Sequence, residues 1–70
     1  MEELRKQEII EQGYTDSIAL YDEGVSLEEL YEILKIYEEE EYYLTCAGIK
    51  KAIDKIIKDY EIGVLRWGVR

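Results

Sequence analysis

The chain has 70 residues, a formal net charge of −8, one cysteine, no histidine and no proline. That length holds a single small domain, residues 1–70, which buries only about 60% of the surface its unfolded chain exposes, so its core is marginal. One cysteine and no histidine exclude an internal disulfide, a cysteine–histidine zinc site, a catalytic triad and a histidine general base.

The first helix is expected over roughly residues 2–12, with Leu4, Ile9 and Ile10 as a short apolar face and Gly13 ending it. Thr15 then caps a brief second helix near residues 16–23, which Gly24 closes. Ser26 followed by Leu27-Glu28-Glu29-Leu30 has the pattern of a capping box, and Val25 and Leu30 are spaced as a hydrophobic staple. A third helix therefore starts at Leu27 and runs to about Glu39, with Leu27, Leu30, Leu34 and Tyr37 on one face. In the longest helix, residues 42–60, the apolar positions Tyr42, Cys46, Ile49, Ile53, Ile56 and Tyr60 form an a/d seam opposite Lys50, Lys51, Lys55 and Lys58. No glycine or proline separates these last two helices. Either the chain turns near residues 39–42 into an antiparallel hairpin, or one helix runs from Leu27 to Tyr60 and needs a partner chain. The break in the seam at Glu41 and the mutual repulsion of four adjacent glutamates favour the hairpin. The reading is an all-α bundle of three to four helices, with 27–39 and 42–60 as its main hairpin. The stretch 61–70, holding Val64, Leu65, Trp67 and Val69, reads as an extended tail that docks on the bundle or on a partner.

Charge is concentrated in the middle of the chain. Residues 14–45 hold ten acids against Lys35 alone, a net −9, whereas residues 46–70 carry +3. A field of that sign repels phosphate backbones and attracts basic protein surfaces, so direct nucleic-acid binding is disfavoured. The acidic helix and the lysine-bearing one could pair, though each exposed ion pair would contribute only about 0–1 kcal/mol. The N-terminal sequence MEELRKQEII lacks the apolar run of a signal peptide, and no stretch approaches the roughly 20 apolar residues of a membrane span. The expected location is the cytoplasm, without membrane association.

Glu38, Glu39, Glu40 and Glu41 beside Tyr42 and Tyr43 are the first candidate partner-binding site. Clustered carboxylates beside aromatics can imitate phosphates and bases and so occupy a basic groove on a partner. The competing reading is a solvated helix end with its tyrosines in the core. Contiguous glutamates on a helix point around it and do not converge on one metal ion. Arg66 and Trp67 are the second candidate, since both residue types are enriched at interface hot spots; alternatively Trp67 folds back to close the core. Cys46, Ile49, Ile53, Ile56 and Tyr60 could instead carry self-association into a homodimer. Cys46, on the seam, reads as a small buried residue rather than a reactive thiol, and Tyr31, Tyr37, Tyr42 and Tyr60 as core or half-buried. Catalytic carboxylate pairs need a pocket that separates their pKa values, which 70 residues hardly enclose. No enzyme activity, metal or cofactor is expected.

The run from Ile18 to Leu34, with its glycine turn, capping serine and following leucines, resembles the first two helices of helix-turn-helix proteins. The acidic segment Glu38–Glu41, leading into the next helix, departs from what a DNA major groove accepts. Residues Tyr43 to Ile56 are similar to the UVR motif of nucleotide-excision repair proteins, a short helical hairpin that mediates protein pairing. Tyr43 takes its aromatic position, Cys46-Ala47 its small pair, and Ile49, Ile53 and Ile56 its apolar positions; Lys50-Lys51 departs from it. In length, acidity and tyrosine content the whole chain looks like the small phage proteins that disable host enzymes, including anti-CRISPR and other anti-defence inhibitors. That likeness implies a non-enzymatic inhibitor in the host cell cytoplasm, bound to a basic, nucleic-acid-handling protein. The alternatives are a self-associating helical module and a degenerate helix-turn-helix regulator.

Overall fold

A computed structural model describes the backbone of residues 2–68 and the side chains of residues 4–61. Three helices follow in order: α1 (Glu2–Asp22), α2 (Leu27–Glu39) and α3 (Tyr43–Gly68), with no strand among the described residues. The chain is a small all-α bundle, and the expected α2–α3 hairpin is present. Its widest interface, however, is between α1 and α3; α2 packs less extensively on α3, and α1 and α2 barely touch. The core is built on α3. Cys46, Ile49, Ile53 and Ile56 meet Leu30 and Leu34 of α2, with Ile18 and Leu20 of α1 packed against them.

Helix α1 does not stop at Gly13, nor does Thr15 cap a second helix; residues 2–22 form one continuous helix. The reason is tertiary. Gly13 is buried against Gly48 of α3 at the point where the two backbones cross. A Cβ on Gly13 would lie 2.9 Å from the Thr45 carbonyl oxygen. A Cβ on Gly48 would overlap the Ile10 carbonyl oxygen and lie 2.8 Å from the Tyr14 amide nitrogen. Close packing here offsets the roughly 1 kcal/mol that a glycine costs inside a helix. One turn further on, the buried residues Ser17 and Ala52 continue the small-residue crossing, and Lys51 Nζ stands 5.9 Å from the centroid of the Tyr14 ring.

Both turns are Schellman motifs. After α1, Val25 N–H donates to Leu20 O (3.0 Å) and Gly24 N–H to Tyr21 O (3.0 Å), with Gly24 at φ 111°. Ser26 then caps α2, its hydroxyl accepting from the Glu29 amide at 3.2 Å, and Val25 and Leu30 join the core as the staple spacing predicts. After α2, Tyr42 N–H donates to Tyr37 O (3.0 Å) and Glu41 N–H to Glu38 O (3.1 Å). Here Glu41 holds the left-handed position usually given to glycine, at φ 64°. The paired rings of Tyr37 and Tyr42, 5.9 Å apart and edge to face, supply the apolar contact that accompanies the motif. This turn forms without glycine, which is why it carries no breaker in the sequence.

A left-handed residue with a side chain is strained by about 1–2 kcal/mol, and part of that returns as chain entropy when glycine replaces it. Glu41→Gly is therefore expected to stabilise the fold by about 0.5–1 kcal/mol, raising Tm by several degrees in a domain of this size. Glu41→Gln, which removes the charge and keeps the Cβ, is the control. Equal Tm gains for the two variants in thermal circular dichroism would mean that charge repulsion, not backbone strain, limits the turn.

Two further expectations are corrected. The stretch 62–68, expected to be extended, continues α3 as helix to Gly68; no proline interrupts it, and Gly63 within it costs about 1 kcal/mol without ending the helix. The acidic α2 and the lysines of α3 form no ion pair across their interface. Among the described residues the one salt bridge is the exposed Lys55–Asp59 pair within α3, at 3.7 Å. Apolar burial, at roughly 1.5–3 kcal/mol for each large core side chain, holds the hairpin together.

Candidate functional site

The turn between α2 and α3 presents Glu38, Glu39, Glu40 and Glu41 to solvent, all exposed. Tyr42 and Tyr43 beside them are 57% and 65% exposed. The reading that put these tyrosines in the core is overturned, and Tyr31 and Tyr60 are exposed as well. The core has no room for them because leucine and isoleucine fill it; the tyrosines at the edges of each apolar face stay outside. Four carboxylates at the C-terminal end of α2 sit where the helix dipole already places negative potential. No salt bridge among the described residues neutralises them. Their charge is therefore projected outward. Behind the turn, Tyr42, Tyr43 and Leu44 line a depression of about 280 Å³ that Ile9 of α1 closes from the far side. The patch thus combines exposed aromatic and aliphatic surface with an uncompensated acidic rim.

Of the residues considered for self-association, Cys46, Ile49, Ile53 and Ile56 are buried in the chain's own core, while Tyr60 is 69% exposed. The seam is real, but α1 and α2 of the same chain occupy it. The second partner-binding candidate, the side chains of Arg66 and Trp67, lies outside the described residues. Residues Tyr43 to Ile56, read in the sequence as similar to a short helical-hairpin motif, form no hairpin among themselves and lie on the single helix α3.

Cys46 is enclosed, with its Sγ 3.9 Å from the Leu34 carbonyl oxygen. Burial pushes its thiol pKa up, and the nearby Glu38 carboxylate adds to the rise against opposing contributions from Lys50 and the Cys46 amide. A thiol held protonated and covered is a packing group, in keeping with its place on the seam.

Sequence reading missed a second concavity. Because α1 and α2 barely touch, a groove of about 410 Å³ opens between them over the floor of α3. Leu20, Ile33, Tyr37 and Ile49 form its apolar surface, and Asp16 and Glu23 stand on the α1 side. The signal that could have found it is the paired spacing Gly13-x3-Ser17 and Gly48-x3-Ala52, a pattern that lets two helices cross closely. That crossing draws α1 onto α3 and leaves α2 to one side. No helix among the described residues is long and apolar enough to cross a membrane. Comparison with known protein families, with curated proteins and with solved structures finds no match to this chain.

Proposed function

We propose that the protein is a non-enzymatic interaction module that binds a partner with a basic surface through the α2–α3 turn. Within that class, the reading favoured by its charge is an inhibitor that blocks a nucleic-acid-handling protein by occupying its phosphate-binding groove, as phage anti-defence proteins do. The observation that carries the proposal is the concentration of four exposed glutamates and two exposed tyrosines on one turn. Exposed aromatics supply contact area at low entropic cost, and the carboxylates steer a basic partner and set the salt dependence of its capture. The residues of the competing self-association seam support the fold of the single chain instead.

The test is affinity capture from nuclease-treated host lysate with the native chain and with the E38Q/E39Q/E40Q/E41Q variant, at low and high salt. One dominant basic partner is expected, lost from the variant and released as salt rises. Equal recovery by both proteins, unaffected by salt, would exclude the acidic turn as the binding surface.

A further inference from the structure

The groove between α1 and α2 has the form of a helix-binding cleft. Its apolar surface comes from all three helices, through Leu20, Ile33 and Ile49. Its charged lining residues are Asp16 and Glu23, and no lysine or arginine lines it. Asp16 is anchored by Gln12, whose Nε2 donates to its Oδ1 at 3.1 Å. At one end the groove meets the depression behind the acidic turn, since Thr45 lines both. Along α1 the two concavities together run from Ile9 to Glu23, about 21 Å at 1.5 Å per residue. That length matches about four turns of a docked helix.

We infer that this groove takes an amphipathic helix of the partner, with apolar side chains inserted along one face and lysine or arginine along its edges. Charge complementarity commits the choice. An acidic or neutral helix would place its flanks beside Asp16 and Glu23 with nothing to compensate them, and at its far end would meet Glu41. A second copy of this chain would bring its own glutamates to the same rim. The inference rests on the proposal that the acidic face meets a basic protein, and adds the form in which the partner is presented. Recognition of this kind uses anchors at i, i+3, i+4 and i+7.

The experiment titrates the isotopically labelled protein with a synthetic peptide of four helical turns, carrying leucines at that spacing and lysines and arginines on its edges. A scrambled peptide of the same composition is the control, and amide cross-peaks are the readout. The ordered peptide is expected to bind saturably and to shift the amides of Ser17, Leu20, Ile33 and Thr45. The scrambled peptide should bind at least about tenfold more weakly. In the D16K/E23K variant, which changes two exposed residues, affinity for the ordered peptide should also fall about tenfold, since two attractive charge pairs become repulsive. Equal binding of both peptides, or shifts confined to Glu38–Tyr43, would overturn the groove assignment and leave the acidic-turn proposal standing. Failure of both peptides to bind at low salt would likewise overturn the groove assignment, and the acidic-turn proposal would then be decided by the capture experiment with the E38Q/E39Q/E40Q/E41Q variant.

Discussion

Ile53→Asp is expected to unfold the chain at room temperature, with loss of the helical circular dichroism signal. Ile53 is 3% exposed and lies in the cluster formed with Leu30, Leu34, Ile49 and Ile56. The substitution removes a buried apolar side chain, worth about 2–5 kcal/mol in such large-to-small changes. It also places there a carboxylate that must either ionise without a partner or bind a proton. Either route approaches the whole stability expected of a domain this small, which rarely exceeds about 3–5 kcal/mol. The same variant separates two architectures. If the seam joined two chains that were each folded, Ile53→Asp would yield a folded monomer with its helical signal intact, seen by light scattering alongside circular dichroism. That result would contradict the placement of Ile53 inside the single chain.

The second large effect is expected at Gly48. Alanine is the best helix former and would ordinarily gain about 1 kcal/mol over glycine in mid-helix. At Gly48 the added methyl meets the Ile10 carbonyl and lies 3.0 Å from the Gly13 Cα, both of them main chain that cannot swing aside. Helices α1 and α3 must separate to admit it, opening their interface from Gly13 to Ala52. Overpacking of this kind costs about 1–3 kcal/mol and more where backbone must shift. Gly48→Ala is therefore expected to destabilise by about 2 kcal/mol despite its propensity, lowering Tm by on the order of 10 °C, and Gly48→Val is expected to prevent folding. A Gly48→Ala variant that melts at or above the parent temperature would show that the helices do not cross in backbone contact.

Part of this fold is legible residue by residue. Ser26 before Leu27-Glu28-Glu29 fixes the start of α2, because the capping bond from the Glu29 amide to the Ser26 hydroxyl (3.2 Å) is formed between near neighbours in sequence. Gly24 ends α1 for the same local reason: its φ of 111° is costly for any residue with a side chain. The buried set Cys46, Ile49, Ile53 and Ile56 follows from a spacing of three and four. The acidic turn was legible as a candidate because contiguous glutamates are visible in any fold; that its tyrosines are free to touch a partner was not.

What the sequence determined by itself, then, is helical character, the start of α2, the apolar face of α3 and the distribution of charge, all of which arise within a few residues or from composition, while the hairpin of α2 on α3 was favoured over one long helix but not decided. Only the tertiary structure decided the rest. Gly13 looks the same to its neighbours whether it ends a helix or lets one helix lie against another, and what chooses between them is Gly48, 35 positions away. Glu41 occupies a glycine's conformation because Tyr42 N–H reaches back to the Tyr37 carbonyl and their rings then meet edge to face. The groove exists because the glycine crossing binds α1 to α3 and leaves α2 apart from it. Such features depend on long-range contacts, whose energies no single segment carries.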